Sequence, residues 1–240
     1  INNYLKKTRV KNCLMFTISG NFNKKEIVEY FKKLKIPTTK EKCKLDTIKN
    51  ISQCYTFTNK TLYVKNMKSQ STKIMINYPI DIKIGNKYGI YLNFLNKILT
   101  SGLSSLLLKR LRLELNLVYG ISASHTTNLC GTVLTIETST DNNNVKKVIR
   151  EIFRLIDYYI EKMIPKIEIE REKIKYKLNL TKMCKTDPTV LSVFYKHQYF
   201  WQLHKKNKKI YTFSDVEKNI LSLNQKTLKD LMKKIFDKSK

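Results

Sequence analysis

One short stretch of this chain changes its hydrophobic pattern from helical to extended, and that change constrains the fold most. A helix-like run starts at Ser104 and continues to about Leu115; Val118 to Thr126 and Gly131 to Thr138 are then rich in β-formers. Asn128-Leu129-Cys130 separates the two β-rich runs and predicts a hairpin. A further strand is expected over Lys73 to Tyr78, preceded by one over Thr61 to Val64, and a helix follows from Asn86 with Ile90, Leu92, Phe94, Leu95, Ile98 and Leu99.

The flanks supply the remaining elements. Residues 12–19 read as a strand ended by Gly20-Asn21, and Asn23 can cap a helix over Lys24 to Lys35 that Pro37 stops. After the hairpin, Asp141 or an adjacent Asn caps a long helix from Val145 to about Met163, and Pro165 opens another to about Cys184. Asp187-Pro188 starts a third that ends near Leu203. Ser214 with Glu217 predicts a capping box, and a last helix follows Leu223-Asn224. The expected class is α+β: an antiparallel or mixed sheet with helices packed on one face.

Composition narrows the partners. The 240 residues carry a formal net charge of +28, yet only six of the 47 basic residues are arginine. Nucleic-acid readers lean on arginine for bidentate contacts, so the excess lysine reads as solvated surface, and nucleic acid is not the favoured partner. No run approaches the roughly 18 apolar residues of a membrane span. The five cysteines are odd in number and lack Cys-x-x-Cys spacing, which points to free thiols in an intracellular, reducing compartment. The three histidines, His125, His197 and His204, form no zinc-binding pattern, and helix-surface and strand-end positions are the expectation for them.

Arg112 and Tyr119 form the one constellation with chemical promise. Arg112 lies near a helix end, Asn116 suits the left-handed residue that ends a helix, and Leu117 and Val118 re-enter a strand so that Tyr119 can face back toward Arg112. A guanidinium and a phenol on one wall are fixed donors for a carbonyl oxygen that gains negative charge during acyl transfer. Neither can supply the attacking water.

The order of these pieces resembles the second half of a zinc metallopeptidase of the pitrilysin/insulinase family, in the branch of the mitochondrial processing peptidases. Residues 13–37 look like the strand, Gly-Asn turn and helix that close the family's first domain, with Phe31, Leu34 and Pro37 at its end. Thr100 to Leu106 is similar to its glycine-rich Ser-Ser turn, and Gly131 to Thr138 to its glycine-led strand. Arg112 and Tyr119 fall on the family's substrate-binding pair, seven positions apart. The turn keeps a single glycine, Leu106 stands where Arg is common, and Asn116 where Gly is common.

The resemblance implies a division into residues 1–37, the end of an N-terminal metallopeptidase-like domain; 38–59, a linker; and 60–240, a C-terminal substrate-binding domain. It implies that Arg112 and Tyr119 bind the substrate carbonyl and that Ser101, Gly102, Ser104 and Ser105 line the substrate chamber. The family's His-x-x-Glu-His zinc motif would lie upstream, since the sequence opens at Ile1 rather than a start methionine. Zinc would then belong to the complete protein, and these residues would bind no metal. The implied substrate is a peptide, presequence or unfolded polypeptide. The implied partner is an N-terminal zinc-bearing domain or subunit, in a homo- or heterodimer, and the implied compartment is the mitochondrial matrix. The alternatives are a non-catalytic scaffold or partner subunit of the same fold and, behind it, a basic nucleic-acid-binding protein.

Overall fold

The structure is a computed structural model that describes residues 16–36, 69–80, 87–127, 131–204 and 211–236. Residues 12–15, the expected strand at Thr61–Val64, the linker and the hairpin tip Asn128-Leu129-Cys130 lie outside them. The chain divides into two compact units. In described residues, one holds 16–36 with 181–204, and the other holds 69–180 with 211–236.

In the first unit, residues 16–19 are not paired as a strand. Helix α1, Lys24–Lys33, begins where the Asn23 carboxamide oxygen accepts from the Lys25 amide at 3.0 Å. It ends at Leu34, short of the expected Lys35: Leu34 takes an extended ψ of 120°, three residues before Pro37. Phe16 packs on Phe31 with ring centroids 4.6 Å apart.

The second unit is built on a three-stranded antiparallel sheet in the order β1-β3-β2. The strands are β1 (Ser71–Ile80), β2 (Ile121–Thr127) and β3 (Thr132–Asp141). Ile76 and Ala123 both pair with Ile136, which fixes the register. Along β3 the buried residues are Thr132, Leu134, Ile136, Thr138 and Thr140, so alternation gives the sheet one core face and one wet face. Lys73 bridges Glu137 at 2.7 Å and Thr135 donates to Asn77 on the wet face.

Helices cover the core face, as the α+β expectation has it. Helix α2 (Lys87–Thr100) packs on β2 and fully buries Leu92, Phe94, Leu95 and Leu99. A short turn of helix, α3 (Leu106–Leu108), buries all three of its leucines. Helix α4 (Val145–Lys162) contributes Val148, Ile152, Leu155 and Ile156. Its entry is a 3₁₀ turn, Asn142–Asn144; Asn144 occupies the N-cap without a side-chain cap bond, and Asp141 belongs to β3. Helix α5 (Lys166–Thr186) follows Pro165.

Helix α6 (Pro188–His204) has proline at its first position, and Asp187 accepts from the Thr189 amide. Helix α7 (Phe213–Leu221) carries a capping box, but on Thr212 and Asp215, two residues earlier than the expected Ser214 and Glu217. Helix α8 (Gln225–Ile235) is capped by Asn224 and buries Leu228, Leu231 and Met232 against α4 and β1. Among the described residues no helix is long and apolar enough to cross a membrane.

Candidate functional site

The segment after α3 is a π-helix, Lys109–Glu114. Such i to i+5 turns are rare and recur at functional sites. Here the π-helix carries Arg112. It closes on Asn116, whose φ is +49°, the left-handed conformation the sequence predicts. The Leu117 amide donates to the Leu111 carbonyl at 2.8 Å and the Asn116 amide to the Arg112 carbonyl at 3.2 Å. This is the crossed pair of a left-handed helix end, each loop one residue longer because the helix is wide.

The chain then runs through 117–120 as irregular backbone, so Tyr119 precedes β2 instead of lying within a strand. Leu117 and Val118 are buried, which turns Tyr119 outward; it is 83% exposed. The Arg112 guanidinium carbon stands 4.7 Å from the centroid of the Tyr119 ring. The two groups therefore meet, as a cation over a ring face. Neither side chain has a hydrogen bond or ion pair among the described residues, so the guanidinium donors and the phenol hydroxyl are free for a ligand.

A network of four ions anchors this segment. Arg110 binds Glu114 at 2.8 Å along the π-helix and reaches Glu151 of α4 at 3.6 Å, while Arg154 binds Glu151 at 2.5 Å. The Arg154 hydrogen bond, with Arg110 close by, holds the Glu151 carboxyl below the usual carboxylate range. Arg110 is thereby consumed in structure, whereas Arg112, two residues on, is left open. The sequence marks Arg110–Glu114 only by its i, i+4 spacing, and nothing local marks the reach to Glu151.

The turn at 101–105 lies in the same unit. Gly102 has φ +85°, a conformation that excludes most side chains. The Ser105 amide and hydroxyl both donate to the Gly102 carbonyl, at 2.9 and 2.7 Å, which buries Ser105. Arg171 of α5, ion-paired to Glu168, donates to the Ser104 carbonyl at 3.0 Å, and Lys175 reaches the Ser104 hydroxyl at 3.4 Å. Ser101 and Gly102 stay exposed. Ser105 is thus committed to holding the turn, while Ser101 is exposed.

His125 sits in the middle of β2, paired with Leu134, not at a strand end. Its Nδ1 lies 3.0 Å from the Asn96 amide nitrogen of α2. With that amide donating, the ring proton sits on Nε2. Burial holds the imidazole below its ordinary value of 6.5. The native state therefore stays neutral while the unfolded chain takes up a proton, so stability is flat above about pH 6.5 and falls as pH drops toward the folded value. The loss is expected to approach, and not exceed, about 1.4 kcal/mol per pH unit in that window. Chemical denaturation at pH 7.5 and 5.5, comparing wild type with His125→Gln, checks this; the variant should lose less stability on acidification. His197 and His204 both lie on α6.

Among the described residues, no group of three or more His, Cys, Asp or Glu side chains could hold a metal ion. His125 already engages Asn96 through one nitrogen. The described residues do not fit a zinc ion.

Comparison with known proteins bears on the fold. The protease from Helicobacter pylori superposes with a TM-score of 0.71 at 18% identity, over 91% of this chain and 51% of that one. A chain of Complex III2 from Candida albicans, determined with Inz-5 bound, gives 0.68 at 12% identity, over 89% and 50%. A candidate zinc protease from Bordetella pertussis Tohama I gives 0.53 at 15% identity, over 68% and 86%. At these identities the likeness is one of fold, and the chain spans about half the length of the Helicobacter and Candida chains. No curated protein matches in sequence. The family model described as the peptidase M16 inactive domain matches residues 1–176. That match covers most of the chain, including the turn, the π-helix and the hairpin strands, and the chain belongs to the peptidase M16 inactive domain family.

Proposed function

We propose that this chain is the C-terminal, substrate-binding half of a zinc-dependent endopeptidase acting on peptides or presequences. The observation that carries the reading is the uncommitted Arg112 guanidinium held over the exposed Tyr119 ring. A guanidinium and a phenol hydroxyl on one wall can donate to a substrate carbonyl and stabilise the negative charge it gains on attack. The ring fixes where the guanidinium stands, and the π-helix closure at Asn116 fixes where the ring-bearing segment leaves the helix.

The residues described do not fit zinc, so in this reading the metal and the activated water belong to an N-terminal domain or partner subunit, within one chain or a homo- or heterodimer. Residues 1–37 would end that preceding domain, 38–59 would link it, and 60–240 would form the substrate-binding domain, although the compact units group 181–204 with 16–36. Ser101 and Gly102 would face substrate. The mitochondrial matrix, a reducing compartment, is the location that suits a processing peptidase.

The fold shared with the Candida Complex III2 chain supports one alternative, a non-catalytic scaffold or partner subunit. Incubating the full-length protein with an internally quenched peptide library, before and after o-phenanthroline, separates the two. The proposal expects cleavage that the chelator stops and added zinc restores. Intact full-length protein that holds no zinc and cleaves nothing would support the scaffold.

A further inference from the structure

Two buried hydroxyls on β3 bracket the exposed tyrosine. Thr138 Oγ1 donates to the Gly120 carbonyl and Thr140 Oγ1 donates to the Leu117 carbonyl, both at 2.6 Å. Thr138 and Thr140 are two residues apart on one strand, so both point from the same face. Both are buried. The segment they grip, 117–120, belongs to no helix or strand and has no ladder of its own. At its start the Leu117 amide is already tied to Leu111 at the end of the π-helix. Strand packing alone does not ask for threonine at these positions, since valine fills the same pleated site. The hydroxyl is what separates the two, and here each hydroxyl meets a carbonyl on one side of Tyr119.

We infer that Thr138 and Thr140 are positioning residues that hold the 117–120 segment so that the Tyr119 ring stays beneath the Arg112 guanidinium. Valine at either site keeps the shape and leaves a carbonyl without its donor, a fault that a loop outside any ladder relieves by shifting. Serine keeps the donor and loses only a methyl group. The consequence for turnover rests on the role proposed above for the Arg112–Tyr119 pair; the consequence for geometry does not.

The test uses the full-length protein with ¹³C-labelled tyrosine. The Tyr119 ring signal is assigned by its loss in Tyr119→Phe, and its sensitivity to the guanidinium by its shift in Arg112→Ala. In Thr138→Val/Thr140→Val the signal should move in the direction it moves in Arg112→Ala, and in Thr138→Ser/Thr140→Ser it should stay at the wild-type position. On a cleaved member of the peptide library, the valine pair should lower kcat roughly 10- to 100-fold with KM within about threefold, and the serine pair should restore kcat. Thr140→Val alone gives the same readouts at smaller amplitude if the valine pair does not fold. A Tyr119 signal unmoved by the valine substitutions would overturn the clamp, whatever happens to turnover. An Arg112→Ala protein that cleaves normally would sink the role of the pair, while the ring signal still decides the clamp.

Discussion

Arg112→Ala in the full-length protein is expected to lower kcat by roughly 10²- to 10³-fold, the cost of removing one preorganised donor to a developing oxyanion. KM should change little, because the donor strengthens its hold as charge builds on the carbonyl oxygen. Zinc content should be unchanged, since no described group near Arg112 could hold a metal. The substitution should also cost little stability. Arg112 has a ring partner and no ion pair among the described residues, and an exposed cation–ring contact is worth about 0.5–1 kcal/mol. Loss of turnover without loss of stability is therefore the signature. A raised KM with intact kcat would instead mark Arg112 as a contact to bound peptide that gains nothing during the reaction.

Leu111→Ala should behave in the opposite way. Leu111 is fully buried, next to Arg112 on the π-helix, and its carbonyl closes the helix end on Leu117. Truncating a fully buried leucine costs roughly 2–5 kcal/mol from lost burial and the cavity left behind. Leu113, two residues on, is 56% exposed, and Leu113→Ala should fall within about 0.5 kcal/mol of wild type. Denaturant titration of both variants measures the contrast. Equal costs at the two positions would mean that the π-helix does not face the core as described. The comparison matters because the helix sets the direction of Arg112: Leu111 turned inward is what leaves Arg112 at the surface.

The parts of this fold that were legible in the sequence are those decided by neighbours in the chain. Asn116 is the natural left-handed residue between a leucine-rich helix and a β-rich run, and it takes that conformation. Asn23 and Asn224 cap helices through their own side chains. The parts that were not legible depend on distant residues. A π-turn six residues long differs too little from an α-turn for leucine spacing to distinguish them. Tyr119 was expected inside a strand because Val118 and Ile121 favour one; the Thr138 and Thr140 hydroxyls, about twenty residues away, hold that stretch as a loop instead. His125 reads as a strand-end residue, but it lies within β2 and its partner Asn96 comes from helix α2. At α7 two overlapping patterns competed, and Thr212 with Asp215 forms the reciprocal pair, leaving Ser214 and Glu217 inside the helix.

The candidate pair itself was legible only in part. Its seven-residue spacing across a helix end suggested that the two side chains could meet, and they do, at 4.7 Å. What the spacing could not convey is that Arg110 is consumed by Glu114 and Glu151 while Arg112 is spared. That difference is set by Glu114 on the π-helix and Glu151 on α4, and it separates a structural arginine from a free one two residues away.

The most direct measurement is a double-mutant cycle in kcat/KM on the full-length protein, with Arg112→Ala, Tyr119→Phe and the two combined. If guanidinium and phenol hold the same carbonyl, the double variant should be little worse than the more damaging single variant, a clear departure from additivity. Losses that simply add in log units, or wild-type cleavage in all three variants, would contradict a shared substrate carbonyl.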